Sequence, residues 1–457
     1  MRRSAGTVEE GASVRRRGRL RVPWLLGALA LIGLAACAEV VETPRQAPLV
    51  SPADGDPLAR LLERERERLG AVLDDPEGHR LQILYTRIDR DADGTPRFTD
   101  HGFRVDEGEY FYPASTVKLP TALLALERLH QLDVEGLDRD TPMYTDVGAP
   151  LQTAVSAHPR APGGVPTVGH YVREIFAVSD NDAFNRLYEF LGQAPLAAAL
   201  AAHGLAHTRI IHRLSLPLPF EANRTTNPVR FERAGVALHV QGARRSGRDL
   251  RAPQPVPLGR GEMIDGVLAA GPKDFADKNA YPLADLHATL RALIFPASVP
   301  APRRFDLAAE DRAFVLRAMG STPAESGLPA YADADEYPPT YVKFLLGGGG
   351  SRDLPAGVRS FNKVGDAYGF LTDAAYVVDL DAGVEFLLSA TVYVNADGIF
   401  NDDVYEYDEL GLPFLAELGS AVLEMERARA RRHAPDLTPL RTLFDVPAGA
   451  HGSATEP

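Results

Sequence analysis

The chain has 457 residues, of which 45% are hydrophobic and 24% are charged. This composition excludes an intrinsically disordered protein and is sufficient to bury one large core or two smaller ones. The formal net charge of −13 leaves no basic surface for a phosphate backbone, so nucleic acid is excluded as an expected partner.

The N-terminal residues have the pattern of an export signal. A group of arginines at 15–21 precedes an apolar run at 22–36 that is too short for an ordinary membrane span. The run ends at Cys37, the only cysteine of the chain, in a setting that resembles a bacterial lipobox. We therefore expect residues 1–36 to be a lipoprotein signal peptide and Cys37 to carry lipid. The alternative is an incidental buried thiol.

A lipid on Cys37 would anchor an exported bacterial protein to a membrane, facing the periplasm or the cell exterior. Residues 37–56 are rich in Pro and Ala and have no apolar period, which is typical of a linker. No disulfide can form within a chain that has one cysteine.

The first elements after the linker follow from the spacing of apolar residues. Leucine and valine at helical spacing predict a helix over 58–73. Residues 81–88 and 98–105 have the pattern of two strands separated by a turn at 89–94. A hairpin is therefore expected before the next helix, which begins near Ser115.

The middle of the chain is predicted to be helical. Helical patterns between 168 and 191 flank a polar break at 179–181, and helical spacing returns at 282–293 and 308–319. The segment at about 229–281 is rich in Arg, Gly and Pro, and we expect it to be an insertion without a core of its own.

The C-terminal part returns to strands. Three antiparallel strands are predicted at 361–365, 370–380 and 384–394, followed by a long amphipathic helix at 407–432. Residues 433–457 are expected to form a flexible tail.

Strands at both ends of the chain around a helical middle predict an α+β fold with two lobes. One lobe would contain an antiparallel sheet that is built from both chain ends and flanked by terminal helices. The other would be an inserted all-helical lobe at about 113–339. We expect residues 57–432 to form this one domain.

Ser115 and Lys118 are a candidate activated nucleophile. Only five of the 49 basic residues are lysines, so arginine is the usual basic residue of this chain. An arginine stays charged, whereas a desolvated lysine can lose its proton near neutral pH and act as a base. Positions three apart share one face of a helix, so the Lys118 amine can reach the Ser115 hydroxyl.

Three short motifs occur in a defined order, on a helix start, an interhelical turn and a strand. They are Ser115-Thr116-Val117-Lys118, Ser179-Asp180-Asn181 and Lys363-Val364-Gly365. Each motif alone is weak, because short patterns of this kind arise by chance. Together, in this order and these settings, they are specific.

A purely structural role is possible for each motif. Ser115 or Thr116 could cap a helix, since serine and threonine are favoured at helix starts. Ser179 or Asp180 could cap the following helix in the same way. Lys363 could be an exposed strand lysine that discourages edge pairing. The candidate site would be ruled out only if all three motifs had these structural roles at the same time.

The motifs resemble those of the class A β-lactamases and the penicillin-binding proteins, over roughly residues 57–432. The resemblance implies a β-lactamase-like fold and a serine hydrolase that attacks an amide carbonyl. It makes Ser115 the nucleophile, Lys118 its base and Ser179 the relay of a proton to the leaving nitrogen. Substrate-binding roles fall on Asn181 for a side-chain amide, on Lys363 and Gly365 of the third motif for a carboxylate, and on Asp366, whose backbone N–H would complete an oxyanion hole with that of Ser115.

The chain departs from the pattern of these families in two places. Val364 stands where a threonine or serine normally helps to bind the substrate carboxylate. No E-x-x-L-N pattern, which supplies the glutamate that activates the deacylating water in class A β-lactamases, lies between Asn181 and Lys363. Glu221 is the nearest candidate for a deacylation base, and the alternative for Glu221 is a solvated loop carboxylate.

Three functions remain open. The first is a β-lactamase-like serine hydrolase that acts on a β-lactam or related amide through an acyl-Ser115 intermediate. The second is a cell-wall peptidase of the D-Ala-D-Ala type, or another amidase or esterase on the same scaffold. The third is a non-catalytic, lipid-anchored binding protein. The expected partners are a small-molecule or peptidoglycan-derived amide substrate and the membrane, and we expect a monomer.

No cofactor or metal is expected. The 12 histidines are dispersed along the sequence. His203 and His207 have helical spacing, but Gly204 lies between them and no nearby carboxylate completes a site. We interpret both histidines as surface or packing residues.

Overall fold

The computed structural model describes residues 55–445. The expected signal peptide, the lipidation site at Cys37 and most of the expected linker lie outside the described residues, as do residues 446–457. Among the described residues, no helix combines the length and the apolar character needed to cross a membrane.

The α-helices of the described residues range from single turns to five turns. They are α1 (Pro57–Arg64), α2 (Arg66–Asp74), α3 (Lys118–Leu132), α4 (Val168–Ala177), α5 (Asn181–Leu191), α6 (Gln193–Ala202), α7 (Phe220–Asn223), α8 (Leu283–Ile294), α9 (Ala309–Gly320), α10 (Phe344–Gly347), α11 (Leu412–Ala428) and α12 (Thr438–Asp445).

The strands fall into a group of long ones at both ends of the chain and a group of short ones between them. They are β1 (Gln82–Arg90), β2 (Pro96–Phe103), β3 (Met143–Thr145), β4 (Thr225–Thr226), β5 (Val229–Arg233), β6 (Val236–Gln241), β7 (Arg244–Arg245), β8 (Pro257–Leu258), β9 (Gly261–Ile264), β10 (Val267–Ala270), β11 (Lys273–Asp274), β12 (Val358–Ala367), β13 (Phe370–Asp379), β14 (Val384–Tyr393) and β15 (Ile399–Phe400).

One five-stranded antiparallel sheet organises the fold, with its strands in the order β12-β13-β14-β1-β2. β1 pairs with β14 so that Gln82 lies opposite Thr391 and Arg87 lies opposite Phe386. Strands from near both ends of the described chain are therefore hydrogen-bonded in the middle of one sheet. The predicted α+β fold, with its sheet built from both chain ends, is confirmed.

The sheet is buried on both faces. Alternate residues of β13 point in opposite directions, so Ala374 and Tyr376 join one hydrophobic core and Ala375 and Val377 join the other. The second core is closed by α1, α2 and α11, whose leucines and valines face the sheet. The first core lies between the sheet and the helices α3, α4, α5, α8 and α9.

The second lobe differs from the all-helical lobe that the sequence predicts. Its centre is helical, but β3, β5 and β6 form a small antiparallel sheet beside it. The segment at 229–281 consists of short strands, and its residues Phe231 and Phe275 are fully buried in the first core. This segment therefore packs as a part of the lobe.

The residues after α11 also differ from the prediction of a flexible tail over 433–457. Residues Thr438–Asp445 form α12, and the Phe444 ring lies 6.2 Å from the ring of Phe361 on β12, between centroids. The guanidinium of Arg317 donates a 2.7 Å hydrogen bond to the Leu443 carbonyl. The apolar face of this short helix anchors the chain against α9 and β12, up to the last described residue.

Candidate active site

Ser115 lies in a 3₁₀ turn, Ala114–Val117, that leads directly into α3. The Thr116 hydroxyl donates a 2.7 Å hydrogen bond to the Pro113 carbonyl, which ties the turn together. The Ser115 side chain caps no helix. Its Oγ instead lies 2.8 Å from the Nζ atom of Lys118, one turn further on, so the two groups form the pair that their spacing predicts.

The amine of Lys118 is buried and surrounded by oxygen atoms. Besides Ser115 Oγ it contacts Asn181 Oδ1 at 2.7 Å, Ser179 Oγ at 3.2 Å and the Ser179 carbonyl. An ammonium would donate to three of these oxygens. A neutral amine can donate to two of them and accept a hydrogen bond from the Ser115 hydroxyl.

The environment of Lys118 favours this neutral form. Burial, reinforced by the nearby charge of Lys363, lowers the pKa of Lys118 well below its usual value, although Asp180 and Asp366 oppose the shift. Burial also lowers the pKa of Lys363 to about 7. Two buried lysines that share one site thus both have lowered pKa values, so that one can act as a base while the other remains charged.

The second motif forms a tight turn between α4 and α5. Ser179 adopts the left-handed conformation, with φ of 58°, and Asp180 caps α5 by accepting a 2.8 Å hydrogen bond from the Ala183 N–H. This geometry assigns the capping role to Asp180 and leaves the side chains of Ser179 and Asn181 free to face Lys118. The Asn181 amide also donates a 2.7 Å hydrogen bond to the Ser215 hydroxyl.

The third motif lies on β12, beside the turn that holds Ser115. Lys363 is 2% exposed, and its Nζ donates to Ser179 Oγ at 2.8 Å and to the Val364 carbonyl at 2.9 Å. An edge-protecting role is therefore excluded for Lys363, because such a lysine would be solvated. Ser179 Oγ contacts both Lys118 and Lys363, so the structure brings the three motifs together.

Gly365 allows β12 to approach the Ser115 turn closely. A Cβ atom at this position would lie 2.5 Å from the Pro113 carbonyl oxygen and 3.0 Å from the backbone nitrogens of Ser115 and Thr116. These are backbone atoms and cannot rotate away. A residue without a side chain is therefore required here for the strand and the nucleophile to meet.

A cavity of about 470 Å³ opens above Ser115. Its described lining includes Asn181, Ser215 and the carboxylates of Asp366 and Asp403. Four aromatic rings complete it, from Tyr112, Tyr368, Tyr405 and Tyr407. Of the described residues that line this cavity, none is Arg, Lys or His, because Lys118 and Lys363 lie beneath its floor. Its surface is therefore acidic and aromatic.

A buried polar network behind β12 was missed by the sequence reasoning. The amine of Lys343 donates to Asn362 Oδ1 at 2.7 Å, and the Asn362 amide donates to Asp373 Oδ1 at 2.8 Å. Burial lowers the pKa of Lys343 to about 7 and raises that of Asp373 to about 6. The network fixes the strand that carries Lys363, and the scarcity of lysine in the chain was a signal that pointed to Lys343.

The structure places Glu221 apart from the other predicted site residues. Its side chain is 59% exposed and forms ion pairs with Arg224 at 2.9 Å and Arg245 at 2.7 Å. The hydrogen bonds from Arg224 and Arg245 hold the pKa of Glu221 below its usual value. Such a carboxylate is a weaker base than an unpaired one, and it does not line the cavity above Ser115.

Comparison with known families gives one match over most of the chain. The sequence model described as the beta-lactamase enzyme family matches residues 66–423. No curated protein matches the sequence at a significant level.

Several solved structures are similar to the chain. The β-lactamase from Desulfarculus baarsii is 18% identical, with 82% of this chain and 99% of that chain covered and a TM-score of 0.43. The β-lactamase from Xanthomonas campestris is 17% identical, with coverages of 78% and 97% and a TM-score of 0.44. An ancestral class A β-lactamase is 18% identical, with coverages of 80% and 99% and a TM-score of 0.41.

Proposed function

The chain belongs to the beta-lactamase enzyme family and is a β-lactamase-like hydrolase, and from this premise we propose that it opens a β-lactam or related amide through an acyl-Ser115 intermediate. The observation that carries the proposal is the 2.8 Å contact between Ser115 Oγ and the buried Lys118 amine. Lys118 takes the hydroxyl proton as Ser115 Oγ attacks the carbonyl carbon. A hydroxyl is a poor nucleophile until a base removes this proton.

The second proton carrier is Ser179. Its Oγ lies 3.2 Å from the Lys118 amine and 2.8 Å from the Lys363 amine. A proton taken by Lys118 can therefore pass through Ser179 to the leaving nitrogen, which must be protonated before the carbon–nitrogen bond breaks. Lys363 supports this step by stabilising negative charge on Ser179 Oγ while it is ionised.

The charge on the carbonyl oxygen develops beside two backbone N–H groups in this proposal, those of Ser115 and Asp366. The close approach of β12 to the Ser115 turn, which Gly365 allows, supports this assignment. Fixed donors at such a position contribute roughly 3 to 4 kcal/mol each to transition-state stabilisation.

The acidic lining favours a second candidate, an amidase or esterase whose substrate has no carboxylate at this position. Asp366 is exposed at the cavity, where its carboxylate meets solvent; the atoms packed around it raise the pKa of the carboxyl by burial, and the charges of Lys363 and Lys118 oppose that rise. Val364 is 1% exposed and offers no hydroxyl to a substrate carboxylate. Ser215 lies at the cavity wall, where its hydroxyl accepts a hydrogen bond from the Asn181 amide. A hydroxyl is a poor base, so Ser215 is unsuited to activate a deacylating water.

The intact mass of the purified protein, followed over time with a labelled penicillin and with a small activated ester, tests the proposal. We expect an adduct on Ser115 that is absent from Ser115→Ala. Rapid turnover of penicillin without retained label identifies a β-lactamase, and a persistent penicillin adduct identifies a cell-wall peptidase or other amidase that deacylates slowly. Turnover of the ester alone identifies an amidase or esterase whose substrate has no carboxylate at this position. Absence of any Ser115-dependent adduct or turnover with both probes would refute the acyl-enzyme and leave the binding protein.

We expect the rate of Ser115 acylation to have a bell-shaped dependence on pH. On the acid side the rate falls because Lys118 becomes protonated below its lowered pKa and can no longer accept the hydroxyl proton. On the alkaline side it falls above about 7, where Lys363 loses its charge. Single-turnover rates across the pH range in which the protein stays folded measure both limbs.

The alkaline limb has its own check in Lys363→Arg. A guanidinium stays charged throughout this range, so the variant should lose the alkaline limb and keep the acid one. A flat profile in the unmodified protein would contradict the assignment of these lysines, and so would an alkaline limb that survives in a folded Lys363→Arg variant.

Replacing Asp366 by Asn should raise the acylation rate for a penicillin by roughly 5- to 10-fold, because it removes a negative charge that repels the penicillin carboxylate. The rate with a neutral ester should not change. Asp335→Asn, at a fully exposed position, is the matched control for loss of one negative charge. An equal effect on the charged and the neutral substrate would show that Asp366 acts in another way.

A further inference from the structure

Three side chains that the proposed mechanism does not use meet inside the second lobe. His158, His170 and Glu174 are 5%, 1% and 0% exposed. His170 and Glu174 lie four residues apart on one face of α4. His158 comes from the preceding loop, which is held in place by a 2.9 Å hydrogen bond from the His158 N–H to the Gly164 carbonyl.

The ligand atoms of these side chains converge. His158 Nε2 lies 3.4 Å and His170 Nε2 lies 3.3 Å from Glu174 Oε2, and the candidate ligand atoms of the three side chains all lie within 4.8 Å of one another. His170 Nε2 also lies at hydrogen-bond distance, 3.1 Å, from the other ring nitrogen of His158, Nδ1. The distances to the carboxylate exceed the usual range of an N–H···O hydrogen bond. Two ligand atoms that are each about 2.0 to 2.2 Å from a tetrahedral zinc ion are about 3.3 to 3.6 Å apart, which matches the separation of each histidine nitrogen from Glu174 Oε2.

One oxygen of the Glu174 carboxylate accepts hydrogen bonds that orient the group, and the other oxygen accepts none from the described residues. Oε1 accepts hydrogen bonds from Arg160 Nε at 2.8 Å and from the Tyr331 hydroxyl at 2.9 Å. Oε2, which faces the two histidines, accepts none from the described residues although it is fully buried. A buried carboxylate oxygen without a hydrogen bond is costly, and a cation between it and the two imidazoles would satisfy it.

The surroundings of the cluster can accommodate a positive ion. Arg160 contacts Glu174, but its charge is shared with Asp180, whose carboxylate it binds at 2.8 Å. A cavity of about 410 Å³ is lined by His170, and it is the side from which an ion would approach the cluster. Two imidazoles and one carboxylate suit zinc, whereas calcium and magnesium prefer oxygen ligands alone.

We propose that His158, His170 and Glu174 bind one divalent transition-metal ion of the zinc type, with water as the fourth ligand. The ion has a positioning role at the second motif. α4 ends at Ala177, two residues before Ser179, and Arg160 joins the Glu174 carboxylate to that of Asp180. A metal ion that fixes Glu174 therefore also fixes the turn that presents Ser179 to Lys118.

Calorimetric titration of the tag-free, chelator-treated full chain with zinc alone tests the proposal. We expect saturation at one ion per chain and an affinity that falls at least about 100-fold in His158→Ala and His170→Ala. His203→Ala is the matched control, because His203 also forms a buried pair with a glutamate, at 3.1 Å from Glu127, outside the cluster. This variant should bind zinc like the unmodified protein.

A second measurement keeps the test decisive if a histidine variant fails to fold. Cobalt added to the unmodified protein should give the visible absorption of a four- or five-coordinate site, and zinc should abolish it. Glu174→Gln, which keeps the size of the side chain, should weaken both signals. Absence of saturable binding, or binding that persists in both folded histidine variants, would overturn the proposal. Neither measurement uses a substrate, so the result is independent of the proposed hydrolase activity.

Discussion

Replacing Lys118 by arginine should reduce the acylation rate of Ser115 by roughly 10³-fold or more, because arginine keeps the charge and cannot accept the hydroxyl proton. The expected result follows from the burial of Lys118 and its 2.8 Å contact with Ser115 Oγ. Stopped-flow acylation or the time course of the intact mass measures the effect. Ser115→Ala, which has no hydroxyl to acylate, gives the background of the measurement.

Two further variants make this prediction decisive. Lys278→Arg applies the same chemical change to a lysine whose ion-pair partner is Asp277, outside the site, and should leave the rate unchanged. Lys118→Met tests whether the larger guanidinium acts by crowding, since methionine fits the space without a charge. Near-normal acylation by a folded Lys118→Arg or Lys118→Met variant would show that another group takes the proton.

Replacing Gly365 by alanine should reduce acylation by about 10²- to 10³-fold. The added Cβ atom would lie 2.5 Å from the Pro113 carbonyl oxygen, so β12 or the Ser115 turn must shift. Either shift changes the distance between the two proposed oxyanion donors, the backbone N–H groups of Ser115 and Asp366. Both donors can then no longer reach the carbonyl oxygen together. The loss should therefore appear in the acylation rate and not in the initial binding of substrate.

Gly242→Ala is the matched control for this change. A Cβ atom at Gly242 meets nothing within 4 Å, and its backbone is not in the left-handed region, so the substitution adds the same methyl group without a clash. Its acylation rate should equal that of the unmodified protein. Retained acylation in Gly365→Ala would show that the donors lie elsewhere, and circular dichroism separates such a result from a loss of folding.

The sheet was predictable from the sequence because its strands are long. β1, β13 and β14 each run for nine or ten residues, long enough for strand patterns and turn residues to mark them. β3 has three residues and β4 has two, which is too short to leave a period in the sequence. The second lobe was therefore predicted to be all-helical although it contains strands.

The positions of the three motifs were predictable because their order in the chain already resembled a known arrangement. The structure joins Ser115, Lys118, Ser179 and Lys363 in a continuous series of contacts, while their catalytic roles stay predictions. Arg160 had no such signal. It lies in a loop of irregular sequence, and its bonds to Glu174 and Asp180 depend on how α4 packs.

Prediction from the sequence meets the same limit for His158, His170 and Glu174, because their contacts depend on the fold. His170 and Glu174 have the spacing of neighbours on a helix, which the sequence displays. His158 is separated from them by a loop, and only the fold returns it to within 3.4 Å of the glutamate. The dispersed positions of the histidines in the sequence therefore gave no indication of this cluster.

The pairing of β1 with β14 has a consequence for synthesis of the protein on the ribosome. Gln82 is made early and its partner Thr391 is made late, so most of the polypeptide emerges before the central ladder of the sheet can close. Until then β1 presents an unpaired edge on which nascent chains could aggregate. A transcript truncated before β14 would encode all three motifs, yet in its product β1 would have no β14 to pair with and the five-stranded sheet could not be completed.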